Sequence, residues 1–230
     1  MSIISPFVAW LERRCARSRL FFYAYAAPYR RLVARELRLA GVDSRHTLVH
    51  IGCGSLPFTA VLAARISGCR VIAVDSDEQA ARNARATVRR LGLEYADSPA
   101  PKIEHHEHSS RRRNARSGSV EVIVGTAGAD SAKDRPEGKC DELTHRLRIA
   151  DVVLVALQAA PKQAIYRQLS CETPEDAALV FRLARPGLEA EYGCLEAGLE
   201  GNAPFCRHAM PTFNRSVLFS ERRVVGEAVA

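Results

Sequence analysis

The sequence predicts an α/β protein built on a doubly wound, mostly parallel sheet. Three observations carry that prediction. Residues 47–77, TLVHIGCGSLPFTAVLAARISGCRVIAVDSD, read as strand, glycine turn, helix, strand and acidic end. Further β-branched apolar runs follow at 119–124 and 151–156, and the unbroken apolar character of the latter is that of a strand buried on both faces. Two short strand candidates, 205–210 and 215–219, flank Pro211-Thr212-Phe213-Asn214, so the closing pair is antiparallel. Strands alternating with helices give an open sheet whose ligand sits at the strand C-terminal ends.

The elements follow in order. Pro6 opens a helix from Phe7 to about Arg17, and a second helix runs from beyond Ser18 to Leu39, with Gly41 as its stop. Phe22, Tyr25, Tyr29 and Leu32 share one face of that second helix at spacings of three and four. Packing on the sheet explains the face, but a buried tyrosine hydroxyl needs a partner, and a helix lying over the glycine turn offers those hydroxyls to a ligand. Strand 47–51 leads into the turn at Gly52-Cys53-Gly54, and a helix runs from Phe58 to Ile66. Strand 70–74 ends on Asp75. The next helix spans 77–91, with Asp77 as N-cap and Gly92 as stop. Residues 95–118 are polar, carry Pro99 and Pro101, and read as an inserted loop. Beyond strand 119–124, Gly125 to Asp130 form a turn and a polar connection reaches Arg148. Pro161 opens a helix to Leu169, and 177–183 form the fifth strand. Residues 1–41 are thus expected as a helical cap on a domain spanning 42–230.

Composition narrows the class. The chain has 230 residues and is 47% hydrophobic, which suits one domain with an ample core. No apolar run reaches the ~18 residues of a membrane span. The N-terminal charges follow the apolar residues instead of preceding them, so a cytoplasmic protein is expected. The net charge of +7 is spread over helix faces and the Arg111-Arg112-Arg113 loop, which reads as a solvated surface and not a nucleic-acid groove. Seven scattered cysteines without a CxxC pair suggest neither disulfides nor zinc. His105-His106-Glu107-His108 are adjacent residues, whereas a metal gathers ligands from separate elements, so no metal is expected. The expected partner is a small molecule, with a homodimer left open.

The glycine turn selects the ligand. Glycines let backbone approach closely, and the next helix presents free N–H groups. A carboxylate about 20 residues on, here Asp75, can accept both ribose hydroxyls. Dinucleotide enzymes use GxGxxG, but Gly52-Cys53-Gly54-Ser55-Leu56-Pro57 lacks the third glycine. That glycine serves packing beneath a pyrophosphate, so this turn suits a nucleoside without one. S-adenosylmethionine (SAM) fits, with Asp75 on its ribose and the Thr126–Asp130 turn at its adenine.

The motifs then become more specific. Methyltransferases commonly carry D/E-x-G-x-G where this chain has His50-Ile51-Gly52-Cys53-Gly54. The run through Leu56-Pro57 and Thr59 resembles the GSGPLPLTS loop of nicotianamine synthases. Tyr25, Tyr29, Leu32 and Glu36 resemble that family's YYxNYxxLxxxE helix, with Pro28 in place of the asparagine. Val155-Ala156-Leu157 with Lys162, and Leu179–Arg182 through Gly187-Leu188 to Tyr192, resemble two further segments in the same order. The similarity covers roughly residues 20–195 and implies a Rossmann-like class I methyltransferase fold: a doubly wound seven-stranded sheet with an antiparallel last strand, plus N-terminal helices.

The resemblance also implies a reaction. Nicotianamine synthases transfer the aminobutanoate arm of SAM: an amine attacks Cγ and methylthioadenosine leaves. Their longer N-terminal region helps hold the amine acceptor, and here only about 20 residues precede the tyrosine helix. The first expectation is therefore that SAM's own α-amine attacks its own Cγ, giving azetidine-2-carboxylate, as in the compact bacterial azetidine-2-carboxylate synthases. Transfer to an external amine, as in opine-metallophore synthases, ordinary methyl transfer and a silent binding module are the rivals. The expected SAM contacts are Gly52, Gly54, Ser55, Pro57, Asp75, Ser76, Thr126, Ala127, Leu157 and Arg182, the last toward the SAM carboxylate. Tyr25 and Tyr29 are the expected catalytic residues, their rings facing the sulfonium and their hydroxyls orienting the amine, with Glu36 as a further proton acceptor.

Overall fold

A computed structural model of the chain describes residues 19–95, 118–128, 139–196, 199 and 201–220. The expected helix at 7–17, most of the loop at 95–118 with its histidines, and Asp130 lie outside the described residues. Helix α1 spans Arg19–Leu39, β1 Thr47–Ile51, α2 Phe58–Ser67, β2 Arg70–Asp75, α3 Glu78–Leu91 and β3 Ser119–Val124. Helix α4 spans Lys139–Arg148, β4 Val152–Val155, α5 Lys162–Glu172, β5 Ala178–Ala184, α6 Glu189–Tyr192, β6 Phe205–Arg207 and β7 Phe213–Phe219.

The seven strands lie in the order β3-β2-β1-β4-β5-β7-β6. The first five are parallel, while β7 runs antiparallel to β5 and β6 antiparallel to β7. The doubly wound seven-stranded sheet with antiparallel closing strands is therefore present as expected. Strand order reverses direction at β1 and β4, which places the crevice for a ligand over the C-terminal end of β1.

Side chains alternate across the sheet and feed two cores. Leu48, Leu154, Val180 and Leu218 pack with Phe22, Ala26, Val33 and Leu37 of α1 and Val61 of α2. Val49, Val153, Phe181 and Val217 pack on the other face with Leu143 and Leu147 of α4 and Ile165 and Leu169 of α5. Asp77 caps α3 by accepting hydrogen bonds from the backbone N–H groups of Gln79 (2.7 Å) and Ala80 (3.3 Å). Gly92 ends α3 in the left-handed region at φ 67°.

Three readings need correction. The connection before Arg148 contains a ten-residue helix, α4; its apolar positions are too few to show a period, and tertiary contacts with β3 and α5, including the Arg146–Glu121 ion pair, stabilise it. Strand β6 stops at Arg207 instead of residue 210, because His208 turns toward Asn214, its N–H donating to the Asn214 carbonyl (2.7 Å). Strand β7 starts at Phe213, two residues early, pairing with Ala184 across a register shift in β5. Helix α1 also continues through Pro28, which removes one backbone donor from its interior. Burial of Ala26, Leu32 and Val33 on either side holds the helix against that loss.

Candidate functional site

The site is built around the turn that leaves β1. The N–H groups of Gly52 and Cys53 both donate to the Val74 carbonyl, at 2.9 and 3.0 Å. That fork pins the turn to the end of β2. Gly52 has φ +80°, and a Cβ there would stand 3.2 Å from the Cβ atoms of both Ala156 and Ala159. Glycine is therefore required twice, for its dihedral and for the approach of the loop after β4.

Asp75 sits at the tip of β2. Its Oδ2 accepts the Gly54 N–H at 2.7 Å and its Oδ1 accepts the Asp77 N–H at 3.0 Å. The carboxylate thus joins the glycine turn to the start of α3, and each oxygen retains capacity for a further donor such as a ribose hydroxyl. The Asp75 carbonyl accepts the Gly125 N–H at 2.9 Å, so the exposed Thr126 and half-buried Ala127 stand beside it. Ser76, the next residue along, is exposed. Ser55 is half-buried in the turn, and Pro57 is buried at the N-cap of α2 with no side-chain cap, leaving the first N–H groups of α2 without one.

Tyr25 and Tyr29 come to this turn through Phe58, the first residue of α2. The Tyr29 ring stacks on Phe58 at 5.9 Å and 13°, Tyr25 meets it at 5.1 Å and 41°, and Phe22 at 4.9 Å. Phe22, Tyr25 and Tyr29 thus form an aromatic shelf on Phe58, at the start of the helix that follows the glycine turn. Phe58 was not among the sequence candidates; its position immediately after the turn was the available signal.

Arg182 and Glu36 lie elsewhere than expected for free groups. Arg182 Nε donates to Glu36 Oε1 and Nη2 to Glu36 Oε2, both at 2.8 Å, and Nη2 also donates to Thr59 Oγ1 at 3.0 Å. Ser216 Oγ donates to Glu36 Oε1 at 2.6 Å. With that proton committed, His208 Nε2 must be the donor in its 2.9 Å contact with Ser216 Oγ. Glu36 is 1% exposed and Arg182 5%. Glu36 thus anchors α1 to the sheet, with three of its four lone-pair sites engaged by Arg182 and Ser216. Arg182 keeps Nη1 outside these bonds. Thr59 stood only in the loop motif, and Ser216 and His208 carried no sequence signal, because they reach Glu36 through the antiparallel β5–β7–β6 pairing.

Lys162 closes the far wall. Its Nζ donates to the carbonyls of Ala156 (2.7 Å), Leu157 (2.7 Å) and Ala159 (2.5 Å). Burial, with a smaller push from Arg182, lowers its pKa to about 7. The three carbonyl acceptors oppose that shift by requiring three donors. Leu157 is buried and contributes its backbone carbonyl to this clasp. Among the described residues, no group of histidine, cysteine and acidic side chains is arranged to hold a metal ion, and no helix is long and apolar enough to cross a membrane.

A seven-stranded sheet with this strand order, a glycine turn after β1 and an acidic tip on β2 defines the class I methyltransferase fold. Within that fold, the chain is similar to nicotianamine synthase-like proteins in both structure and sequence. A mutant of MtNAS in complex with S-adenosylmethionine has a TM-score of 0.58 and 21% identity, covering 91% of this chain and 70% of that one. MtNAS in complex with MTA and tNA has a TM-score of 0.55 and 20% identity, covering 91% and 67%. The L-histidine 2-aminobutanoyltransferase of Yersinia pestis is 27% identical over 170 residues, 74% of this chain and 49% of that protein. The chain therefore spans about half the length of this curated relative. No family model matches the chain.

Proposed function

We propose that this protein binds SAM at the Gly52–Gly54 turn and uses it as donor of its aminobutanoate arm. The observation that carries the reading is the aromatic shelf of Tyr25, Tyr29 and Phe58 at the start of the helix that follows the turn. A sulfonium next to ring faces is stabilised by cation–π attraction, most strongly where water is excluded. Asp75 holds the ribose, Thr126 and Ala127 border the adenine, and Arg182 Nη1 faces the carboxylate of the arm.

A sulfonium activates all three of its carbons, and the position of the nucleophile selects one. In-line attack of an amine nitrogen on Cγ forms the N–C bond. The C–S electron pair returns to sulfur, methylthioadenosine leaves, and the new ammonium gives up a proton. The likeness to an aminobutanoyltransferase supports an external amine as the acceptor. The cyclising alternative, in which SAM's own α-amine is the nucleophile, is favoured by one feature. The position that is acidic in many methyltransferases is His50 here, and Glu36 is paired, so neither holds that amine as an ammonium.

Incubation with SAM alone and with added amino acids, followed by mass spectrometry, tests both readings. Methylthioadenosine formed only when an amino acid is present supports transfer. Methylthioadenosine with azetidine-2-carboxylate from SAM alone supports cyclisation. S-adenosylhomocysteine, or no turnover under any condition, rejects aminobutanoate chemistry.

A further inference from the structure

His50 stands two residues ahead of the glycine turn. It shares the β1 face of Leu48, which packs beneath α1 and α2. The side chain is 2% exposed, yet neither Nδ1 nor Nε2 has a hydrogen-bond partner among the described residues. Buried polar atoms are nearly always paired, so a fully buried imidazole with both nitrogens unmet points to a group it receives. Burial first, and the Arg182 charge second, push its pKa down to about 3. The ring is therefore neutral near pH 7, with one donor and one acceptor.

The sheet order says which end of SAM arrives there. Asp75 on β2 and Thr126–Ala127 after β3 lie to one side of β1, while β4 and β5, with Arg182, lie to the other. A SAM whose ribose meets Asp75 runs its aminobutanoate arm across the glycine turn toward His50 and Arg182. We infer that His50 is a positioning residue for the α-amino group of that arm, accepting its N–H without the negative charge that would hold it as an ammonium. This rests on the reading that SAM binds at the turn.

The surroundings agree with an uncharged amine. Arg182 of β5, its partner Glu36 of α1, Thr59 of α2, Ser216 of β7 and His208 beyond β6 are polar groups on this face, and the register neighbours Ala73 of β2 and Leu154 of β4 are apolar. The Glu36 carboxylate is neutralised by Arg182. An amine buried here without a free carboxylate sheds its proton to solvent on binding.

Calorimetry in two buffers of different ionisation enthalpy reads that proton. An ordinary α-amino group is mostly charged at pH 7, so SAM binding to the wild-type protein should release about 0.9 proton, and methylthioadenosine, which lacks the arm, none. His50→Leu should weaken SAM at least tenfold and methylthioadenosine less than twofold, while His50→Gln keeps most SAM affinity. In the wild-type protein, the 15N resonances of the His50 ring should shift with SAM and stay fixed with methylthioadenosine, a readout independent of whether the variants fold. If the wild-type protein binds no SAM, the SAM reading falls and the inference with it. SAM binding without proton release, or with unmoved His50 resonances, overturns the role of His50 and leaves the SAM reading standing. Equal weakening of both ligands by His50→Leu does the same.

Discussion

Glu36 and Arg182 are 146 residues apart in sequence and form a two-point ion pair in which both side chains are nearly fully buried. The pair fastens α1, which carries Tyr25 and Tyr29, to β5. Removing one partner of a buried pair leaves an uncompensated charge and costs about 3–5 kcal/mol. Glu36→Gln and Arg182→Met should each destabilise on that scale, and the double variant by clearly less than the sum. Urea unfolding of the four proteins checks this; additive losses would mean that the two side chains act independently.

Asp75 bridges the turn and α3, and in the proposed function it also holds the ribose. Asp75→Ala should lower SAM affinity at least tenfold, about 1.4 kcal/mol, as measured by calorimetry. Unaltered affinity would remove Asp75 from the site.

Tyr29 stacks on Phe58 beside the turn. Tyr29→Phe keeps the ring and removes only the hydroxyl. With the hydroxyl in the orienting role expected of it, turnover should fall by ten- to hundredfold while SAM affinity changes less than threefold, since such a role is felt in the transition state. Phe58→Leu should weaken SAM binding itself, since it removes the shelf's centre. Steady-state kinetics beside direct binding separates the two.

Gly52 and Gly54 both have positive φ, at 80° and 67°, but their surroundings differ. Gly52→Ala drives a methyl toward Ala156 and Ala159, whereas Gly54→Ala meets no atom within 4 Å. Both carry the dihedral cost of about 1–2 kcal/mol. Gly52→Ala should lose more stability and more SAM affinity than Gly54→Ala, read by thermal unfolding and calorimetry.

His50 makes stability depend on pH. Its folded pKa of about 3 lies below the ordinary value of 6.5, so below pH 6.5 the unfolded chain takes up a proton that the folded chain refuses. Stability is therefore greatest above pH 6.5 and declines as the pH falls toward 3. Between pH 6.5 and 5 the loss from this group is about 1.6 kcal/mol. Burial also lowers the pKa of His208, which adds a loss of the same sign. Urea midpoints from pH 7 to 5 should fall less steeply in His50→Leu than in the wild-type protein.

Local pattern determined much of this protein. The β-branched runs, the Gly52-Cys53-Gly54 break, the Asp77 cap and the Gly92 stop each act within a few residues, so the sequence alone places β1, β2, α2 and α3 and brings Asp75 to the turn. Helical spacing likewise put Tyr25 and Tyr29 on the face that meets Phe58. Tertiary structure decided the rest. Glu36, Thr59, Arg182, Ser216 and His208 come from five separate segments, and only the stacking of α1 and α2 on the antiparallel β5–β7–β6 edge joins them. Helix α4 exists through packing, not periodicity, and the isolation of His50 follows from what the sheet and helices bring around it. Propensities and turns are short-range, so a sequence displays them. Burial and the partners of buried charge depend on segments distant along the chain, and only the folded molecule fixes them.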